Sequence, residues 1–154
     1  MRIALWFTLL LCISACGPKV IYNQKLIIKD GKWVNTDIFN FSFEIIDDKQ
    51  EYDIFLHVSH DEKFEYQNLY VKIKTVFPDK KSTEDIVSLE MSDGTGKSYG
   101  KCSGDQCETA IQLQSKVKFK QKGKHELFLN QYSRAQMVEG IESLTLKIIE
   151  VKSE

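Results

Sequence analysis

From residue 38 to residue 151 apolar and polar side chains take turns along the chain. That period of two puts every second side chain on the same face of an extended strand. Over residues 38–46, Phe39, Phe41, Phe43 and Ile45 share one face, with Asn40, Ser42 and Glu44 on the other. Asp47-Asp48-Lys49-Gln50 interrupts the run, and residues 51–59 resume it: Tyr52, Ile54, Leu56 and Val58 face one way, Asp53, His57 and Ser59 the other. Residues 67–77 set Leu69, Val71, Ile73 and Phe77 against Lys72 and Lys74. Residues 85–91 carry apolar groups on both faces, Ile86 as well as Val87, Leu89 and Met91, which predicts partial cover on both sides. The cleanest alternation opposes Ile111, Leu113, Val117 and Phe119 to Gln112, Gln114, Lys116, Lys118 and Lys120. Lys122-Gly123-Lys124 turns it into a hairpin partner over residues 126–132.

The remaining segments are plainer. A first strand is expected around residues 25–29, followed by an Asp30-Gly31-Lys32 turn and Trp33 as a core anchor. Residues 92–106, rich in Gly and Ser, read as a long loop with a short strand near Tyr99. Residues 133–140 hold the one helical turn that the pattern allows, and residues 144–151 the last strand. About eight or nine short strands and no long amphipathic helix predict an all-β domain: a two-sheet antiparallel β-sandwich, jelly-roll or Ig-like. A closed barrel is the second solution.

The first residues follow another pattern. A basic start, Met1-Arg2, precedes an apolar run over residues 3–13 that is well short of the roughly 20 residues a bilayer-spanning helix needs. Gly17-Pro18-Lys19 ends the run. This is the form of a secretory signal peptide. Ile13-Ser14-Ala15-Cys16 resembles a bacterial lipobox, in which the cysteine sulfur takes a diacylglycerol and the chain is cut before it. Cys16 is therefore the expected lipidation site, and acyl chains at about 0.8 kcal/mol per buried methylene hold such a protein on a membrane. The rival reading is a transmembrane helix with an incidental cysteine. The expected organisation is a signal peptide over residues 1–15, an acylated tether over 16–24 and the sandwich over 25–154.

Charge narrows the partners. There are 21 Lys and Arg against 22 Asp and Glu, a formal net charge of −1, so nucleic acid is not an expected partner. Gly96-Lys97-Ser98 looks like the end of a phosphate-binding loop, but the glycine required five residues before Gly96 is Met91 and no helix follows, so no nucleotide is expected. His57 and His60 lie three apart on a strand, hence on opposite faces, and a shared metal ion would need a bend after Ser59. No Gly-x-Ser-x-Gly elbow and no His-Glu-x-x-His occurs, and no carboxylate pair can be set across a cleft. The expectation is a protein that is not an enzyme and holds no cofactor or metal. Export makes a disulfide the expected state of Cys102 and Cys107, across the turn formers Ser103, Gly104 and Asp105; a redox or metal pair is the alternative, which the spacing does not favour. Phe55, Tyr66, Tyr70, Tyr99 and Tyr132 make either a sugar- or protein-binding face or the covered second side of a sheet.

Several pieces in order give the mature chain a family resemblance. They are the lipobox, Phe41-Ser42-Phe43-Glu44-Ile45, the segment from Tyr52 to Val58, Tyr66-Gln67-Asn68-Leu69-Tyr70, and Phe77-Pro78-Asp79-Lys80. After these come Gly94-Thr95-Gly96-Lys97-Ser98-Tyr99-Gly100, Asn130-Gln131-Tyr132-Ser133-Arg134 and the segment from Val138 to Leu144. Over residues 38–151 this resembles the gliding-motility lipoprotein H (GldH) family of the Bacteroidota. The chain departs from the family in having Tyr99 where a Trp is usual, and in its Cys102/Cys107 loop. The resemblance implies a lipid-anchored, non-enzymatic accessory of the gliding machinery, which is tied to type IX secretion. The implied partners are the membrane and other gliding or secretion envelope proteins. The implied location is the outer membrane on its periplasmic face, since no acidic residues adjoin Cys16. Tyr66, Asn68, Tyr99, Gln131 and Arg134 are the candidate partner surface. A carbohydrate-binding envelope lipoprotein is the alternative.

Overall fold

Each long alternating segment becomes a strand with its apolar side turned inward. The computed structural model describes residues 17–152. Cys16 and the signal-peptide cut lie outside them. The strands are β1 Val20–Ile27, β2 Lys32–Val34, β3 Phe39–Ile45, β4 Tyr52–Asp61, β5 Asn68–Val76, β6 Ser82–Glu90, β7 Lys101–Ser103, β8 Gln106–Val117, β9 Gly123–Gln131, β10 Met137–Glu139 and β11 Ile141–Glu150. Eight are long. β2, β7 and β10 are three residues each, and these raise the total above the eight or nine expected.

Three sheets form, in the orders β1-β11-β4-β8-β7, β3-β9-β5-β6 and β10-β2, all antiparallel. The two larger ones face each other. The pairs β1–β11, β3–β9, β4–β8 and β5–β6 are nested, as if one long hairpin were folded over so that successive pairs fall in alternate sheets. That order is a jelly roll, which decides between the two sandwich types that periodicity left open.

The core follows from the pleat. β4 buries Tyr52, Ile54, Leu56, Val58 and His60 in strict alternation, β5 buries Leu69, Val71 and Ile73, and β11 buries Ile141, Leu144, Leu146 and Ile148. A bulge between Ile141 and Ser143 resets the register of β11 against β4. Trp33 of β2 and Val138 of β10 are fully buried and close one end of the sandwich. The Trp33 ring meets Phe39 edge-on at 5.5 Å. Gly140 joins β10 to β11 at φ +86°, and a Cβ there would press on the Asp61 carboxylate at 3.2 Å and the Phe64 ring at 3.4 Å.

Three expectations are corrected. Residues 133–140 form no helical turn: Val138 must be buried, and pairing Met137–Glu139 with β2 achieves this while satisfying the backbone. The first strand begins at Val20, inside the segment expected to be tether. It is an edge strand with mostly exposed side chains, so its sequence carries little alternation. Finally, β6 is not covered on both faces. Leu89 is buried, but Ile86 is 55% exposed on the outer side, where no further layer stands among the described residues.

Leu56, fully buried on the central strand β4, sets the test of this packing. Leu56→Ala is expected to lower the unfolding free energy by about 2–5 kcal/mol. Ile86→Ser should change it by less than about 0.5 kcal/mol. Urea titrations of both variants check the contrast.

Candidate functional site

The sandwich is open along one side. Among the described residues β6 pairs only with β5, so it is the edge of its sheet. In the facing sheet β7 covers only Gln106–Glu108 of β8, which leaves the rest of β8 as the other edge. Register shifts at Tyr52/Ile54 and Ile54/Phe55 bulge β8 away from β4. Between the two edges lies a cleft of about 960 Å³, floored by Phe43, Ile54, Ile73 and Leu127 and rimmed by Lys81, Asp85, Lys118 and Lys120. Beside it sits an aromatic cluster around His125. This ring is buried, stacks on Phe43 at 5.7 Å, and meets Phe119 edge-on at 4.9 Å. Its Nδ1–H donates to the Gly123 carbonyl at 3.0 Å. No motif surrounds His125 in the sequence; its inward position on β9 is the signal that places it.

A second region lies on the outer face of the β3-β9-β5-β6 sheet, at the end where β5 begins and β9 finishes. Tyr70 and Tyr132 are 45% and 51% exposed there, and the Tyr132 N–H donates to the Tyr70 carbonyl at 2.7 Å. The Lys72 ammonium stands 4.8 Å from the centre of the Tyr132 ring. Asn68 is exposed at the start of β5 and reaches Ser88 Oγ across β6 at 3.2 Å. Tyr66 packs on Phe64 at 5.5 Å and keeps part of its ring in solvent. Arg134 is exposed in the loop after β9. Tyr99 shares a shallow depression with Ser88 and Glu90. Phe55, by contrast, alternates with the buried residues of β4 and faces out from the other sheet.

Gln131 is different in kind. It is 1% exposed, so it offers no surface to a partner. Its Nε2 donates to the carbonyls of Ala135 and Gln136 at 3.1 and 3.3 Å, and its Oε1 accepts from the Ser133 N–H and hydroxyl at 2.9 and 2.7 Å. Gln131 therefore positions the loop that carries Arg134.

The other singled-out residues have local explanations. Asp93 fills the turn that resembled a phosphate cradle. Its Oδ1 accepts from the Thr95 hydroxyl at 2.6 Å and from the N–H groups of Thr95 and Lys97 at 2.8 and 3.0 Å. Those amides are spent on a carboxylate of the protein itself. The Thr95 hydroxyl, followed by the two backbone bonds, holds the Asp93 carboxyl below its ordinary pKa. Gly100 follows in this loop, and its backbone lies so close to β8 that a Cβ would overlap the Glu108 carbonyl.

His57 points outward to Glu108 at 3.0 Å, while His60 is buried. The His60 Nδ1–H donates to the Asp61 carbonyl and Nε2 accepts from the Thr109 hydroxyl. Among the described residues no group of three or more His, Cys, Asp or Glu is placed to hold a metal ion. Cys102 and Cys107 are directly paired positions of β7 and β8, with Cα atoms 3.9 Å apart, and their sulfurs are bonded.

Comparison with known proteins adds two findings. A family model described as GldH lipoprotein matches residues 20–148. The chain is also 29% identical, over 139 residues, to a protein of Christiangramia forsetii named "Gliding motility lipoprotein GldH homolog", covering 90% of this chain and 84% of that one.

Two measurements probe the loops. Gln131→Leu is expected to cost about 1–3 kcal/mol and to speed amide exchange at Ser133 and Gln136 while leaving β8 unchanged. For the turn at 93–97, a folded-state pKa below the unfolded value means stabilisation present above the ordinary carboxylate pKa of about 3.9. It is lost as pH falls through the lowered value. Amide shifts of Thr95 and Lys97 should therefore titrate together with a midpoint below about 3.9, and Asp93→Ala should abolish that titration.

Proposed function

The chain belongs to the GldH lipoprotein family, and from that premise we propose that it is a lipid-anchored, non-enzymatic accessory of the gliding-motility machinery, associated with type IX secretion, that acts by binding other envelope proteins. On this reading Cys16 carries the acyl chains, and the domain sits on the outer membrane, on its periplasmic side. The observation that carries the protein-binding role is where the exposed tyrosines lie. Tyr70, Tyr132 and Asn68 lie together at one end of one sheet, Tyr66 and Arg134 lie in the loops that adjoin that end, and Val20, the start of β1, lies at the opposite end. A chain tethered through Cys16 then presents this face away from its anchor. Tyrosine and arginine supply contact area and hydrogen bonds at a low cost in lost side-chain freedom, which is why they dominate protein-binding hot spots.

The same tyrosine pair favours a second reading, in which Tyr70 and Tyr132 stack on sugar rings. The two are separable. With a photo-crosslinking residue in place of Tyr132 in the native acylated protein, adducts to gliding or secretion proteins are expected in cells, and Tyr70→Ala should reduce them at least several-fold. Binding on a glycan array that Tyr70→Ala removes, with no protein adduct in cells, would overturn the protein-binding role in favour of the sugar. Cys16→Ser tests the anchor by itself: it should move the protein from the membrane fraction to the soluble fraction.

A further inference from the structure

The near-zero net charge conceals two oppositely charged ends. The jelly roll brings five segments to the end where the N-terminal chain leaves: residues 17–19, 46–51, 77–81, 116–124 and 150–152. Together they hold ten lysines against five carboxylates. The segments at the other end, residues 28–37, 61–67, 90–106 and 132–142, hold six cations against ten carboxylates. At the lysine-bearing end four of the carboxylates are already matched one to one. Glu150 pairs with Lys19 at 2.7 Å, Glu51 with Lys118 at 3.4 Å, Asp48 with Lys122 at 3.6 Å and Asp79 with Lys81 at 3.1 Å. Lys49, Lys80, Lys116 and Lys120 make no ion pair among the described residues, and all are exposed. Ile46 projects from the same end with 81% of its surface exposed.

The tether gives this end its partner. Lys19 is fixed to the domain: its ammonium pairs with Glu150, and its carbonyl accepts from the Glu150 N–H at 2.8 Å. It lies three residues after Cys16. Three extended residues reach about 10 Å at most, which is close to the Debye length of about 8–10 Å at physiological salt. An acylated Cys16 therefore holds this end within the range at which its lysines feel charged headgroups.

We propose that the lysine-bearing end of the sandwich is a docking surface for anionic lipid headgroups, with Ile46 dipping into the interface, and that it holds the domain upright with its tyrosine face outward. Lysines beside an anchor strengthen attachment to anionic bilayers, and an apolar side chain among them adds buried area. The inference rests on acylation of Cys16, so its test reads the anchor separately.

The native acylated chain is bound to vesicles of neutral phosphatidylcholine, or to vesicles with about a third of the lipid replaced by phosphatidylglycerol, and labelled with an amine-reactive acetylating reagent. Mass spectrometry reads each lysine. Labelling of Lys49, Lys80, Lys120 and Lys122 is expected to fall several-fold on the anionic vesicles relative to the neutral ones, and that of Lys29, Lys97 and Lys101 to stay unchanged. About 0.5 M salt should remove the difference, as should a K80E/K120E double variant at the remaining lysines. Equal labelling on both vesicles would overturn the proposal, as would protection that appears only when envelope proteins are added. Flotation with neutral vesicles reports the anchor alone. A chain that does not float lacks its acyl groups, and labelling against excess anionic vesicles still decides the surface.

Discussion

The long inner strands of this protein each have one apolar face, and that single fact governs the rest of the structure. A strand such as β4, with Tyr52, Ile54, Leu56 and Val58 on one side and Asp53, Phe55, His57 and Ser59 on the other, cannot bury its apolar face alone. A flat sheet of such strands cannot either. Two sheets must meet face to face, with side chains of both inner surfaces filling the layer between them. The jelly roll satisfies this by pairing segments far apart in sequence, β1 with β11 and β3 with β9. Many of these pairings close long loops, a topology that folds slowly.

The same constraint leaves edges, and the edges carry the distinctive features. β6 and the outer half of β8 lack neighbours among the described residues, so the sheets part between them into an apolar cleft. Exposed strand edges invite unwanted pairing, and charge on an edge strand discourages it. β6 carries Glu84, Asp85 and Glu90, and β8 is bulged. At the far end the β2–β10 ribbon, Trp33 and the Gln131-held loop close the layer, while at the near end the turns are left to lysine. The domain is thereby polar along its length: tyrosines and carboxylates at one end, ammonium groups and the start of β1 at the other.

That polarity connects the family to the molecule. On the proposed protein-binding role, a lipoprotein gains from a fixed orientation, because a tumbling domain presents any one face only part of the time. Here the departure of the N-terminal chain at Lys19 and the charge gradient run along one axis of the sandwich.

The sequence by itself determined the strands and their inward faces, since period two is a local property and survives in any fold that buries one side. It determined the sandwich class and, through short motifs in order, the family. It assigned the first half of the weakly patterned edge strand β1 to a tether and residues 133–140 to a helical turn, because those segments take their form from partners, β11 and β2, that no local pattern reveals. Only the tertiary structure decided the pairing order, the cleft and the inward turn of Gln131. It alone gathered lysines from five separate segments onto one end. Each of these depends on which strand lies beside which, and backbone hydrogen bonds pair any two strands equally well; the choice among them belongs to the packed whole.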